Sequence, residues 1–153
     1  MLNMKTTLST LVLVLALSTT VFGASGDDIL GVWNNQEKDA KIEIRKCGEK
    51  YCGSIVWMKE PNYPEGSKEG TPGTPRNDHH NPRPELRSTL IQGLQIVNDF
   101  VYAGENRWVD GTVYDPKNGK TYRGKLTLSS PGQLDLRGFI GIPLFGRTTN
   151  WSR

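Results

Sequence analysis

Residues 108–128 read Trp-Val-Asp-Gly-Thr-Val-Tyr-Asp-Pro-Lys-Asn-Gly-Lys-Thr-Tyr-Arg-Gly-Lys-Leu-Thr-Leu, and this stretch decides the fold. Asp115-Pro116 begins a turn because proline presets its own φ, and Gly119 ends the turn because glycine tolerates positive φ. The loop is either the four residues that begin at Pro116 or the two residues 118–119. The two loops differ in register by two residues and leave the same side chains on each face. The stretch therefore predicts a β-hairpin.

The two faces of this hairpin differ in polarity. Side-chain alternation places these residues on one face: Val109, Gly111, Val113, Tyr122, Gly124, Leu126 and Leu128. It places these on the other: Thr112, Tyr114, Thr121, Arg123, Lys125 and Thr127. We expect the first face to be buried and the second to meet solvent.

The first residues of the chain resemble a secretory signal peptide. Lys5 gives a positive start, residues 8–17 are apolar, and Val21-Phe22-Gly23 offers a cleavage site. We expect a signal peptide over 1–23, a single mature domain over 24–153 and export to the periplasm or beyond the cell. The formal charge of +3 becomes +2 without Lys5. That balance, with no basic stripe, argues against nucleic-acid binding, and no membrane span is expected in the mature chain.

The two cysteines favour a disulfide. In an exported chain such a pair is normally oxidised to a disulfide, and Cys47 and Cys52 flank a short turn. A turn centred on Glu49-Lys50 would place them directly opposite each other. The register would then pair Ile44 with Ile55 and Ile42 with Trp57 on the core face, with the disulfide on the outer face.

Other short alternating segments indicate more strands. They are residues 29–33, 41–45, 54–58, 90–97, 134–140 and 147–153. Turns are expected at Asn98-Asp99 and at 129–132. Between them, residues 59–89 hold six of the nine prolines, which predicts a long surface loop with one helical turn that begins at Asn81-Pro82. About eight short strands favour a small antiparallel β-barrel or a sandwich.

Several motifs in order resemble one bacterial family. They are Gly31-Val32-Trp33, Cys47-Gly48 with Tyr51-Cys52-Gly53-Ser54-Ile55, Asp78 with Asn81-Pro82, Pro84 and Leu86-Arg87, Trp108 with Gly111 and Tyr114-Asp115-Pro116, Gly119-Lys120-Thr121-Tyr122, Leu136-Arg137-Gly138-Phe139-Ile140-Gly141, and Gly146-Arg147-Thr148 with Trp151-Ser152-Arg153. The chain resembles DUF2147, an exported domain of unknown function. The resemblance implies no reaction.

A second similarity is to the lipocalin-like barrels. These share a Gly-x-Trp on the first strand and an arginine of the last strand that lies over that tryptophan. Here the tryptophan is Trp33, and the arginine is Arg153, the preferred candidate, or Arg147. The similarity implies an all-β, lipocalin-like barrel whose first and last strands are neighbours.

The sequence shows no catalytic constellation, cofactor motif or metal motif. His79 and His80 are the only histidines, and adjacent histidines rarely converge on one ion. We therefore interpret Asp78-His79-His80 as a solvated loop and expect no enzyme activity.

The last strand offers a candidate ligand site. If Trp151 points inward, Arg147, Thr149 and Arg153 do too. One arginine would stack on Trp33, and the other would form an ion pair or meet an anionic headgroup. The apolar loop over 139–145 is either a plug beneath which the core closes or an exposed lip for an acyl chain or membrane contact.

Two functional hypotheses follow. In the first, the barrel binds a small apolar or amphipathic molecule through these residues: Arg147, Trp151, Trp57, Tyr122 and Phe145. In the second, the barrel is filled and serves as an envelope interaction module, with the long loop as its contact. The volume of the barrel interior separates them. The sequence does not define the ligand, the oligomeric state or the role of the loop.

Overall fold

The computed structural model describes residues 25–153, so the predicted signal peptide lies outside the described residues. Eight antiparallel strands form a closed barrel in which each pairs with its neighbour along the chain. The strands are β1 (Gly31–Asn34), β2 (Ala40–Cys47), β3 (Lys50–Met58), β4 (Gln95–Tyr102), β5 (Arg107–Asp115), β6 (Lys120–Ser130), β7 (Gln133–Phe139) and β8 (Arg147–Ser152). Short 3₁₀ helices span Gly26–Ile29, Pro84–Leu86 and Pro143–Phe145. The all-β barrel prediction is confirmed.

The central hairpin of β5 and β6 has the four-residue loop. Asp115 pairs with Lys120, as that loop requires. The Asp115 carbonyl accepts a hydrogen bond from the Gly119 amide at 2.9 Å, and its side chain accepts one from the Lys117 amide at 3.0 Å. Gly119 has a φ of 69°, the conformation for which the sequence uses glycine.

One inward residue of this hairpin was predicted wrongly. Asp110 has a φ of 60°, and the pairing shifts between Trp108 and Gly111. This β-bulge adds one residue to β5, so the alternation restarts on the other side of it. Trp108 is consequently fully buried, whereas Val109 is only half-buried.

The disulfide between Cys47 and Cys52 is present, with the two Cα atoms 5.9 Å apart. The predicted turn was wrong, because the loop is the two residues Gly48 and Glu49 and it pairs Cys47 with Lys50. Gly48 has a φ of 64°, which suits a two-residue hairpin loop. The cysteines are therefore diagonal neighbours across the hairpin, a position from which they still bridge.

The inward orientation predicted for Trp57 was also wrong. Ile42 pairs with Ile55, and the next pair is Lys41 with Trp57, so β3 carries one extra residue here. That bulge turns Trp57 to the outer face, where 41% of it is exposed and the Lys41 ammonium lies 5.3 Å from its ring centroid. Ile42, Ile44 and Ile55 lie in the core as predicted.

The turn predicted at Asn98-Asp99 is absent, because β4 continues through these residues. Asp99 has a φ of 62°, a bulge within the strand. Val97 and Phe100, on either side of it, are both fully buried although they are three residues apart. The chain turns instead at residues 103–106.

Phe100 fills the middle of the barrel by lying on two glycines. A β-carbon at Gly111 would lie 2.2 Å from the Phe100 ring, and one at Gly124 would lie 2.5 Å from it. Neither contact is possible between real atoms, so the aromatic ring occupies the space that two side chains would need. The inward glycines of the central hairpin are therefore packing positions.

The barrel has two different ends. Its closed end, defined by the 3₁₀ helix Gly26–Ile29 and the loops at 48–49, 103–106 and 131–132, is filled. The indole nitrogen of Trp33 donates to the Ile29 carbonyl at 2.8 Å, and that of Trp108 donates to the Gly26 carbonyl at 3.1 Å. The helix thus serves as the floor of the barrel.

Strands β1 and β8 close the barrel through a short seam. Within residues 25–153 the strands share one residue pair, Asn34 with Ser152. The Asn34 amide also donates to the Ser152 carbonyl at 3.1 Å. Beyond it, the Gln36 side chain accepts a hydrogen bond from the Asn150 backbone amide at 3.1 Å. On the open-end side of the seam, the Gln36 side chain thus takes the place of a partner strand.

The predicted arginine contact is at the lower end of this seam. The Arg153 guanidinium carbon lies 4.3 Å from the Trp33 ring centroid. Its nitrogens donate to the carbonyls of Asp28, Leu30 and Pro131 at 2.8, 3.1 and 3.0 Å. Arg153 thus joins the end of β8 to the floor helix and to the loop at 131–132.

The long loop contains one helical turn, but the turn begins two residues later than predicted. Arg83 is its N-cap and Pro84 its first residue. Asn81 instead uses its side-chain oxygen to accept from the Arg83 amide at 2.9 Å, an Asx turn that precedes the helix. Apart from two isolated bridges, residues 59–94 contain no strand. No helix among the described residues is long and apolar enough to cross a bilayer.

Candidate ligand-binding site

The open end of the barrel, defined by the loops at 35–39, 59–94, 116–119 and 140–146, contains a cavity of about 910 Å³. Its inner wall is mainly apolar and is formed by Ile42, Ile55, Ile91, Ile96, Val113, Leu136 and Trp151. Charged residues surround the rim, namely Glu37, Asp39, Lys59, Glu60, Arg76, Asp115, Lys117 and Arg147. The cavity can accept a molecule with an apolar body and a polar end.

Arg147 is the first residue of β8, at the cavity rim. It pairs with Gly138, which has no side chain to occupy the neighbouring space. No hydrogen bond or ion pair joins the Arg147 guanidinium to another residue of the described part of the chain. Its five N–H donors are consequently available to an anion.

Trp151 and Tyr122, two of the candidate ligand residues, also line the cavity. Trp151 is 4% exposed and stands on β8 on the same side as Arg147, four residues away. The Tyr122 hydroxyl accepts a hydrogen bond from the Asn118 amide at 3.0 Å, which orients the ring at the rim. Three candidates, Arg147, Trp151 and Tyr122, therefore meet in one place.

The other two candidate residues lie elsewhere. Trp57 is on the outer face because of the bulge in β3. Phe145 is 79% exposed on the loop between β7 and β8, outside the cavity wall. The plug interpretation of this loop was wrong, since Ile142 and Leu144 are also exposed, by 54% and 75%. The loop is an exposed lip beside the cavity.

The interpretation of Asp78-His79-His80 as a solvated loop was wrong for Asp78, whose buried carboxylate fixes the long loop to the barrel. Asp78 is fully buried, and it accepts hydrogen bonds from the Tyr114 hydroxyl and from the Asn81 amide, each at 2.7 Å. Burial raises the pKa of Tyr114, and the hydrogen bond to Asp78 raises it further. The only sequence signal was the family motif that contains Asp78 and Asn81. The loop thus forms a fixed wall of the cavity through Arg76 and Ile91.

The structure also brings Glu69 to the two histidines. Ligand atoms of Glu69, His79 and His80 lie within 4.8 Å of one another, and the His80 imidazole is 3.3 Å from the Glu69 carboxylate. Arg76 and Lys117 line the same small recess. Their positive charges oppose a bound cation, so we interpret the contact of His80 with Glu69 as a hydrogen bond that ties parts of the loop together.

Fold and cavity together define a class: a lipocalin-like barrel, closed at one end and hollow at the other. The solved structure of a Helicobacter pylori protein described as belonging to the lipocalin family is similar, with a TM-score of 0.66 and 23% sequence identity over 82% of each chain. At this identity the likeness establishes the fold. The family of uncharacterized proteins conserved in bacteria, DUF2147, matches residues 31–153, and the chain belongs to it. No curated protein matches the chain.

Proposed function

We propose that this protein binds a small amphipathic molecule, with an apolar chain and an anionic end, in the barrel cavity. The observation that carries the proposal is an apolar cavity of about 910 Å³ whose rim holds an arginine without a protein partner. That volume lies within the range of ordinary small-molecule sites, roughly 300 to 1,000 Å³. The alternative hypothesis assumed a filled barrel, and the cavity argues against it.

The chemistry of the site divides by depth. Leu136 and Trp151 form part of the inner wall and would contact the apolar chain, which gains free energy by leaving water. Arg147 at the rim would form bidentate hydrogen bonds with a carboxylate or phosphate and remain partly hydrated. An arginine at the rim avoids most of the desolvation cost that a buried one would incur.

The proposal includes two further statements. In this proposal the protein acts by binding and not by catalysis. The chain is exported, with cleavage after Gly23; N-terminal sequencing of the exported protein that found residue 1 retained would contradict this.

The test is a titration of the delipidated protein with fluorescent fatty acids of increasing chain length. We expect saturable binding with one site, and affinity that rises with chain length until the cavity is full. Arg147→Ala should weaken binding by roughly 1.5 to 3 kcal/mol, about 10- to 150-fold, because a hydrogen bond to a charged group is lost.

The matched control is Arg123→Ala, which removes an arginine from the outer face of β6 and should leave affinity unchanged. If the wild-type protein shows no saturable binding at any chain length, the cavity is not an acyl site and the interaction-module hypothesis takes its place. Equal fatty-acid affinities for Arg147→Ala and the wild type would show that Arg147 does not bind the ligand.

A further inference from the structure

The lip, which we define as residues 140–146, carries the most exposed large apolar side chains among the described residues. Ile140, Ile142, Leu144 and Phe145 are exposed by 66%, 54%, 75% and 79%. Elsewhere in the described chain the exposed large apolar residues reach at most 50%, at Leu90. Four such side chains on one short loop are unusual for a surface that meets only water.

The lip backbone is held in place. Arg137 of β7 donates from Nε to the Pro143 carbonyl at 2.8 Å and from a terminal nitrogen to the Leu144 carbonyl at 3.3 Å. A β-carbon at Gly146 would lie 2.8 Å from the Gly138 carbonyl oxygen, so the loop packs closely on β7. The apolar side chains are thus displayed by a fixed backbone, which lowers the entropy cost of binding.

Positive charge is concentrated beside the lip. Residues 116–150, which comprise the open tip of the central hairpin, most of β6, β7, the lip and most of β8, contain six basic residues and one acidic residue. The basic residues are Lys117, Lys120, Arg123, Lys125, Arg137 and Arg147. The acidic residue, Asp135, is engaged by the Asn150, Gln133 and Ser129 side chains. Residues 116–150 therefore carry a formal charge of +5. One of the six cations, Lys117, is paired with Asp39 at 3.7 Å.

The basic side chains flank the lip on adjacent strands. Lys125 pairs with Arg137 across β6 and β7, and Arg147 follows the lip directly. The Arg123 guanidinium carbon lies 5.5 Å from the ring centroid of Phe139, the residue before the lip. An apolar projection next to a basic face is complementary to one kind of surface, an acyl layer beneath anionic headgroups.

We propose that the lip docks on a lipid bilayer that bears anionic headgroups. Leu144 and Phe145 enter the headgroup and acyl boundary, and the exposed Arg123 and Lys125 of β6 face the phosphates. Arg137 holds the lip backbone between them. Since Arg147 borders both the lip and the cavity rim, the docked protein holds its cavity mouth next to the bilayer. The docking does not require the cavity to hold a ligand, so the two proposals fail separately.

The test is co-sedimentation of the delipidated protein with vesicles, of phosphatidylcholine alone or of equimolar phosphatidylcholine and phosphatidylglycerol. We expect sedimentation with the anionic vesicles that decreases as salt is added, because salt screens the headgroup attraction. The double variant Leu144→Ser/Phe145→Ser should partition roughly tenfold more weakly or worse, since two apolar side chains no longer leave water. Lys125→Glu should weaken binding about tenfold to anionic vesicles.

The matched control is Val56→Ser/Val101→Ser, which removes two exposed apolar residues on β3 and β4 and should sediment like the wild type. All variants change exposed side chains, and circular dichroism checks that each folds. Failure of the wild type to sediment with either vesicle overturns the proposal, as does equal binding by the lip variant and the control. A concentration-dependent dimer that only the lip variant abolishes, without vesicle binding, would assign the lip to a second copy.

Discussion

Arg153 and Arg147 stand near opposite ends of β8 and have opposite environments. Arg153, at the closed end, lies over Trp33 and donates to three backbone carbonyls. Arg147, at the open end, has no partner among the described residues and faces a cavity. The closed end uses its polar groups to satisfy one another, whereas the open end leaves a donor group for something else. We infer that the contacts that stabilise the barrel and the proposed ligand site lie at opposite ends of the barrel.

The largest effect should come from the closed-end tryptophan. Trp33→Ala removes a fully buried indole and its hydrogen bond to Ile29, so we expect a loss of about 3 to 5 kcal/mol in urea unfolding. Trp57→Ala is the control, because Trp57 is 41% exposed on the outer face, and it should cost about 1 kcal/mol or less. Similar losses for both variants would contradict the division between a filled closed end and an open one.

The two arginines provide the direct test of the comparison. Arg153→Ala leaves three carbonyls without their donor and removes the stacking on Trp33, for an expected loss of about 2 to 3 kcal/mol in unfolding free energy. Arg147→Ala should change stability by less than about 0.5 kcal/mol. Urea denaturation of both variants measures the difference. The comparison fails if Arg147→Ala is the more destabilising change.

The disulfide should affect stability but not binding, because it lies in the hairpin at the closed end. Replacing both cysteines, Cys47→Ser/Cys52→Ser, should cost about 2 kcal/mol, at the low end for disulfides because the closed loop is short. Fatty-acid affinity, measured well below the unfolding midpoint, should stay at the wild-type value. A large loss of affinity in the folded variant would show that the two ends are coupled.

The smallest predicted effect is a pH dependence at the closed end. Burial raises the pKa of Tyr51 from 10.0 to about 12, and its hydrogen bond to Asp27 at 2.8 Å contributes. The folded state thus favours the neutral phenol. This stability is fully present below pH 10 and is lost as the pH rises towards 12, by about 1 kcal/mol at pH 11.

Tyr51→Phe is the matched variant for this prediction, because it keeps the ring and removes the titrating group. Urea unfolding at pH 8 and pH 11 should show a smaller alkaline loss for the variant than for the wild type. Some loss should remain in both, since the pKa of Tyr114 is raised as well. Identical alkaline losses would show that Tyr51 does not titrate between these limits.

Features encoded by local alternation were predictable from the sequence. The central hairpin follows from Asp115, Pro116 and Gly119, although the sequence left open whether its loop has four residues or two. The core positions of Ile42 and Ile44 follow from period-two spacing. The contact between Trp33 and Arg153 was predicted from the similarity to lipocalin-like barrels. Period-two spacing alone would not have predicted it.

The errors about which face a strand residue occupies arose where an extra residue enters a strand. The bulges at Asp99 and Asp110 depend on aspartate adopting positive φ, which a sequence permits but does not require. Each bulge reverses the inward face for the residues before it, as Val109 and Trp108 show. Alternation alone predicts the wrong face beyond such a point.

The candidate site was harder to predict because the cavity exists only where no aromatic side chain fills the barrel. Phe100 fills the middle of the barrel by lying on Gly111 and Gly124, whereas the bulge in β3 turns Trp57 to the outer face. The cavity results from the position of the Phe100 ring and from the outward orientation of Trp57. Likewise, the wall made by the long loop depends on the contact of Asp78 with Tyr114, 36 residues later.

The short seam between β1 and β8 has a dynamic consequence. Above the pair of Asn34 with Ser152, the Asn150 amide is bonded to the Gln36 side chain instead of a neighbouring strand. Local opening there breaks few hydrogen bonds, so amide hydrogens at the upper end of β8 should exchange with deuterium sooner than those of the fully paired β6. We therefore expect β1 and β8 to separate more readily than strands that share many pairs. This opening would lie beside Arg147, the arginine that faces the cavity.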